Sequence, residues 1–169
     1  MKTEIKGQPA FSYIDVVLEP GDTITTESDA MSSMDADIEL RSRFNGGFFV
    51  GLLRKFLGGE TLFINDFSNP TDGTRRMTIV QPTPGEVREL QLNDETLYMQ
   101  PGAFLACTDG VKVGVKFAGF ISWIAREGLF RIAVSGTGKV WYGAFGALLD
   151  REIDGEYIVD TSHLVAYEP

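Results

Sequence analysis

The chain has one cysteine and one histidine among its 169 residues. Because Cys107 is alone, an intramolecular disulfide is excluded, which suits a reducing compartment or a fold that needs no cross-link. His163 lies 56 positions from that cysteine, so a zinc or iron site has almost no ligands to draw on. Catalysis of the Ser-His-Asp or Cys-His type has only this histidine available, and we interpret it as a turn residue. Cys107 ends the apolar run 103–107 and is expected to be a small buried side chain.

Long apolar runs and positive charge are also scarce. No uncharged stretch reaches the roughly 18 residues that a spanning helix needs, and the N-terminus lacks the apolar core of a signal peptide. We therefore expect a cytoplasmic protein. Lys and Arg number 15 against 24 Asp and Glu, a net charge of -9, and residues 1–39 hold nine of the acids with two bases. Since the basic residues form no stripe, nucleic acid is an unfavourable partner.

The remaining composition is that of a globular domain. Hydrophobic residues make up 43% of the chain and aromatic residues 11%. A chain of this length removes roughly 70% of its unfolded surface from water, which is enough for a core without disulfides or metals. We expect a single domain over 1–169.

An internal repeat organises this domain. A shift of 73 positions places Asp22, Ile24, Ala30 and Phe44 on Glu95, Leu97, Ala103 and Phe117, and a further shift of 61 places Glu95 and Leu97 on Glu156 and Ile158. The triplets 20–22, 93–95 and 154–156 align as turns between apolar runs. The repeat predicts a first unit at 11–83, a second at 84–144 and an incomplete third at 145–169, which leaves an unpaired edge unless another subunit covers it.

Within the units the apolar period is two, which is typical of short antiparallel strands. Examples are Ile38 with Leu40, the series Val111, Val113 and Val115, and Tyr157 with Val159. Nineteen glycines and seven prolines supply turns. The predicted fold class is therefore all-β, a tandem-repeat antiparallel sandwich or double-stranded β-helix with short helical insertions.

Two segments break this period at equivalent places in the two units. The ranges 48–57 and 117–126 space their apolar residues as an amphipathic helix does, and glycines follow each. They are too short to span a bilayer but long enough to lie in its interface. We prefer the interpretation that they cover the β-structure or pack between subunits. The candidate oligomer or membrane interface comprises Phe48, Phe49, Leu52, Leu53, Phe56, Leu57, Phe120, Ile121, Trp123 and Ile124.

Several motifs together resemble one family. They are the opening 7–13, the run 27–34, and the stretches 58–65, 127–130 and 159–165. In order and spacing they look like the altered-inheritance-of-mitochondria family, over essentially the whole chain. The resemblance implies an all-β fold akin to the tryptophan RNA-binding attenuation protein, assembly into homo-oligomers, and, for mitochondrial relatives, a part in inner-membrane organisation without established enzymatic activity. Family members usually continue past Pro169.

Three motifs have residue types that suit catalysis or ligand binding. Glu60 and Glu127 occupy equivalent places and suggest a hydrolase pair, but a repeated fold also repeats its structural residues. Asp35, Asp37 and Glu39 alternate like one face of a strand and offer oxygen ligands to calcium, although a solvated strand face explains them as well. The piece 136–139 lacks the spacing of a phosphate loop and is interpreted as a hairpin turn.

The sequence thus predicts no catalytic residue, no metal and no cofactor. It favours a non-catalytic homo-oligomeric scaffold or binding protein, with a family link to membrane organisation. The alternatives are a peripheral membrane protein that uses segments 48–57 and 117–126, and a hydrolase that uses Glu60 and Glu127.

Overall fold

Antiparallel β-strands form nearly all of the regular structure in the described part of the chain. The computed structural model describes residues 1–44, 63–117 and 130–169. The strands are β1 (Lys2–Lys6), β2 (Tyr13–Leu18), β3 (Thr23–Glu27), β4 (Met31–Met34), β5 (Glu39–Phe44), β6 (Phe63–Ser68), β7 (Arg75–Val80), β8 (Gly85–Met99), β9 (Phe104–Thr108), β10 (Val111–Phe117), β11 (Phe130–Phe145) and β12 (Ala166–Tyr167). A short 3-10 turn covers Thr161–His163. The all-β fold class is confirmed.

The strands form two sheets. The smaller has the order β1-β2-β7-β4, and the larger has the order β12-β8-β11-β9-β3-β6-β5, with β10 paired to β11. In the smaller sheet β2 alternates buried and half-buried residues, the period-two pattern of a strand with one face on a core.

Among the described residues, the core consists of two buried clusters that share the larger sheet. The first joins β2 and β7 to the larger sheet and includes Ile14, Leu105 and Trp141. The second includes Phe104 and Cys107. Since Leu105 and Phe104 are neighbours in β9 and belong to different clusters, β9 is buried on both faces. This explains why its sequence is a continuous apolar run rather than an alternating one.

Two predicted turns are wrong, because their residues lie inside long strands. The triplet 93–95 falls within β8 and the piece 136–139 within β11. The register between these strands shifts between Gly136 and Thr137, so Asp94 becomes the extra residue of a β-bulge and has a φ of 63°. An added Cβ at Gly136 would lie 2.4 Å from the Gly110 carbonyl oxygen. Residues that tolerate positive φ occur in β-bulges as well as in turns. Only pairing with a partner strand distinguishes a bulge from a turn. The predicted turn at 20–22 does connect β2 to β3.

Two further predictions need correction. Asp35 and Asp37 share no strand face with Glu39, because residues 35–38 form the turn that connects β4 to β5, closed by the Ile38 N–H and the Asp35 carbonyl. Tyr157 and Val159 lie outside the described strands, since no described strand pairs with them. The division into three units stays a prediction.

Candidate interaction surface

The interface residues chosen from the sequence, Phe48 to Leu57 and Phe120 to Ile124, lie outside the described residues, as do Glu60 and Glu127. The structure does show where the chain leaves and rejoins the sheet. Phe44 pairs with Phe63 at the end of the β5–β6 hairpin, and Phe117 pairs with Phe130 at the end of the β10–β11 hairpin. Phe117, expected as the first residue of a helix, is therefore the last residue of β10.

The two hairpin ends lie far apart along the strands. Antiparallel pairing from β11 through β9, β3 and β6 gives β5 the same direction as β11. The connection of the β5–β6 hairpin lies at the C-terminal end of β5, whereas the connection of the β10–β11 hairpin lies at the N-terminal end of β11. The registers of β6, β3 and β9 place Phe63 level with Tyr142 of β11. From Tyr142 back to Phe130, at the start of β11, the distance is roughly 40 Å along a straight strand at about 3.3 Å per residue. The topology therefore separates the two ends.

Most of the exposed large apolar side chains among the described residues lie at or after the end of β11. We call residues 146–160 the C-terminal arm. Phe145, at the end of β11, is 78% exposed, and in the arm Leu149 is 74%, Ile153 57% and Ile158 98% exposed. Single exposed apolar residues are ordinary on protein surfaces, whereas a row of them indicates a contact surface.

A second exposed phenylalanine lies beside the start of the arm at Gly146. Phe11 forms a bridge with Gly85, Gly85 forms another with Gly146, and Phe145 pairs with Gly85 in the β8–β11 ladder. Phe11 is 72% exposed. An added Cβ at Gly85 would lie 1.9 Å from the Ala144 carbonyl oxygen, so the three segments approach each other only because this residue has no side chain.

An ionic cluster attaches the arm to β8. Glu86 accepts a hydrogen bond from the Leu148 N–H at 2.8 Å and pairs with Arg88 at 2.8 Å. Arg88 also binds the Asp150 carboxylate and donates to the Leu148 carbonyl. The Arg88 guanidinium, and next the Leu148 N–H, hold the pKa of the Glu86 carboxyl below its usual value. The arm thus has a defined position where it leaves the sheet, while its apolar residues stay exposed.

The repeat in the sequence also indicates this surface. The repeat places Ile158 on Leu97 and Ile24, and both of those residues are buried in strands. Ile158 has the pattern of a core residue but is exposed. An expected core residue without a core indicates a surface that another molecule covers.

The single histidine belongs to a turn. Ser162 donates its hydroxyl to Asp160 at 2.5 Å and its N–H to the same oxygen at 2.9 Å, and these two bonds lower the pKa of Asp160. His163 Nδ1 lies 3.0 Å from the Ser162 oxygen. A catalytic triad instead needs the serine hydroxyl and the carboxylate on opposite ring nitrogens of the histidine. The arrangement here is an Asx-type turn with exposed side chains.

The single cysteine is in the core, as predicted. Cys107 is 1% exposed, and burial raises the pKa of its thiol to about 12. Such a thiol is a poor nucleophile and a poor metal ligand at neutral pH.

The acidic residues considered for calcium have protein partners. The Asp35 carboxylate accepts the Arg76 N–H at 2.8 Å, and Asp37 pairs with Arg75 at 3.0 Å. Within the described ranges, no group of three potential metal ligands was found. Those ranges also hold no helix with the length and apolarity that a membrane crossing requires.

Comparisons with known proteins give a family and a fold. The family model described as "Mitochondrial biogenesis AIM24" matches residues 3–169. An uncharacterised protein of Streptococcus pyogenes serotype M6 is 26% identical over 176 aligned positions, which cover 99% of this chain and 70% of that protein. A crystal structure of a Streptococcus pyogenes protein superposes with a TM-score of 0.76 at 24% identity, over 98% of this chain and 74% of that one. The last likeness shows the fold alone, and the likeness to the tryptophan RNA-binding attenuation protein stays an expectation.

Proposed function

Since the chain belongs to the AIM24 family of mitochondrial biogenesis proteins, we propose that it is a non-catalytic, homo-oligomeric scaffold or binding protein. The observation that carries this proposal is the row of exposed apolar side chains at Phe145, Leu149, Ile153 and Ile158. Phe145 lies at the end of β11, and the ionic cluster around Arg88 attaches the beginning of the arm that presents the other three. A fixed position lowers the ordering entropy that a contact through this row must overcome.

The magnitudes indicate that the arm does not act alone. Burial of a large apolar side chain contributes about 1.5–3 kcal/mol, so four give about 6–12 kcal/mol. The loss of translational and rotational freedom on association costs about 4–15 kcal/mol. Because the two ranges overlap, the arm supports weak association, and a stable oligomer needs further contact area. The apolar segments 48–57 and 117–126 are proposed to supply part of it.

Light scattering on the purified full chain tests the proposal. We expect a mass above that of the monomer, and Ile158→Asp and Leu149→Asp to lower it. Leu90→Asp is the matched control, because Leu90 is an exposed apolar residue on β8 outside the arm. A wild-type chain that is a clean monomer at high concentration overturns the proposal, and so does equal loss of mass in all three variants.

Peripheral membrane association through segments 48–57 and 117–126 is the second candidate. It draws support from the hairpin ends, because both segments connect the two strands of a hairpin and so start at the end of a sheet. The separation of those ends favours insertion of one segment at a time. Co-sedimentation with anionic liposomes tests this function. No pelleting, or pelleting unchanged by Leu53→Asp and Trp123→Asp, rejects it.

A hydrolase with Glu60 and Glu127 as its acid pair has the least support. Glycosidase carboxylates lie about 5–9.5 Å apart. Each of these residues precedes the first residue of its strand, Phe63 or Phe130, by three positions. The wide separation of those strand starts disfavours the pair.

A further inference from the structure

In the part of the chain that the structure describes, the outer edge of β5 is an open sheet edge. β5 (Glu39–Phe44) is the last strand of the larger sheet, with β6 on one side, and no described strand pairs with its other side. The strand has no proline and no register shift against β6. Exposed edges of this kind are templates for pairing with another chain.

The direction of the backbone groups follows from one hydrogen bond. The Ser28 N–H donates to the Phe63 carbonyl, so Phe63 directs its backbone groups toward β3. In an antiparallel ladder the sides alternate along the strand, so Ile64 and Asp66 face β5. Their partners Arg43 and Arg41 face β6. The backbone groups of Leu40 and Ser42 therefore face outward.

The side chains along this edge are complementary to themselves. Leu40 is 45% exposed and lies between Glu39 and Arg41, whose side chains are 53% and 78% exposed. Within one chain the Glu39 and Arg41 side chains touch only loosely, at 3.5 Å. An edge that carries both charge signs on either side of an exposed leucine differs from the like-charged edges that prevent pairing.

We propose that β5 pairs antiparallel with β5 of a second copy, around a two-fold axis at Leu40. In this register Leu40 lies opposite Leu40 of the partner subunit. Glu39 lies opposite Arg41 of the partner subunit, and the symmetry repeats that ion pair. Cross-strand pairs of opposite charge and of apolar residues stabilise antiparallel ladders.

The charges also select this register over its neighbour. A shift that places the axis at Ser42 brings Arg41 opposite Arg43 of the partner subunit, and directly opposed like charges are destabilising. Arg43 is moreover bound to Asp66. A two-fold axis makes the interface isologous, so the pairing closes at a dimer rather than growing into a fibre.

This inference rests on the proposed homo-oligomer and adds the residues of one of its interfaces. It is tested first by cross-linking of the full chain. Opposed residues of a hydrogen-bonded antiparallel pair have Cα atoms about 5.5 Å apart, which suits a disulfide. Under mild oxidation Leu40→Cys should give a covalent dimer that a reducing agent dissolves. Leu90→Cys is the control, since Leu90 is an exposed leucine of β8, and the native Cys107 is buried. Equal dimer yields in the two variants overturn the inference.

Charge reversal tests the register by a second route, which also serves if Leu40→Cys fails to fold. Either single variant, Glu39→Arg or Arg41→Glu, places like charges opposite each other across the interface. Each should raise the dimer dissociation constant, measured by sedimentation, about tenfold or more. The double variant restores both ion pairs and should return it to within about threefold of wild type. Unchanged single variants, or a double variant as weak as the singles, reject the pairing. If the wild type is oligomeric and the variants reject the β5 pairing, the proposed homo-oligomeric function is still supported. If the wild type is monomeric, both the β5 pairing and the proposed function are rejected.

Discussion

The indole Nε1 of Trp141 donates a hydrogen bond to Glu89 Oε2 at 3.0 Å. Trp141 is fully buried in the first core cluster. A buried donor without an acceptor costs about 1–3 kcal/mol. Glu89→Leu should therefore lower the free energy of unfolding by about that amount, measured by urea denaturation.

Two variants separate this hydrogen bond from the nearby charge pair. Glu89→Gln keeps an acceptor and should cost less than Glu89→Leu. Lys139→Ala removes the 2.7 Å ion pair that Lys139 makes with Glu89, and a pair at this partly exposed site contributes about 0–1 kcal/mol. A larger loss from Lys139→Ala than from Glu89→Leu would contradict the assignment.

Gly85 is expected to accept no side chain. An alanine Cβ there would lie 1.9 Å from the Ala144 carbonyl oxygen, and the backbone around it belongs to two bridges and a ladder. Gly85→Ala should lower the free energy of unfolding by about 3 kcal/mol or more. In the control Gly114→Ala, the nearest atom is 3.9 Å from the new Cβ, so the same change should be neutral or stabilise the strand. Equal effects at the two sites would contradict the close approach at Gly85.

The contact between the arm and β8 should depend on pH through Glu86. Its pKa is lowered in the folded protein, first by Arg88 and then by the Leu148 N–H, so the stabilisation is present above the ordinary glutamate pKa of about 4.3. It is lost as the pH falls through the lowered value. The Leu148 amide resonance should therefore titrate with a midpoint below about 4.3.

Variants at the cluster identify the titrating group. Glu86→Gln should abolish the titration of the Leu148 amide. Arg88→Gln removes the largest cause of the lowered pKa, so the midpoint should move up toward the ordinary value. If Arg88→Gln leaves the titration midpoint of the Leu148 amide unchanged, the resonance reports on a carboxyl other than that of Glu86.

Cys107 should resist thiol reagents until the chain unfolds. With a pKa of about 12, about one thiol in ten thousand is ionised at pH 8, and its 1% exposure blocks access. We expect no labelling in native buffer and complete labelling in denaturant, with a rate that follows global unfolding. Rapid labelling of the native chain would contradict the burial of β9.

The interaction surface was less predictable than the fold. The sequence pointed to apolar segments as interfaces, and the segments it selected lie outside the described residues. The repeat aligns Ile158 with Leu97 and predicts a strand around it, whereas Ile158 is exposed. Period-two alternation does not show whether a partner strand exists. Leu40 was assigned to a strand, but its place at an open edge depends on the order of strands in the sheet.

By itself, the sequence determined the features that depend on neighbouring residues. The alternating series Val111, Val113 and Val115 of β10, the turn at 20–22 and the buried run that ends at Cys107 follow from local period, turn chemistry and hydrophobicity. The tertiary structure decided which residues meet across the chain. In it, Asp94 lies in a β-bulge instead of a turn, Glu89 accepts the hydrogen bond of the Trp141 indole, and the apolar residues of the arm are exposed. The reason is that strand pairing joins residues distant in sequence, and the sequence pattern of a strand does not specify its partner.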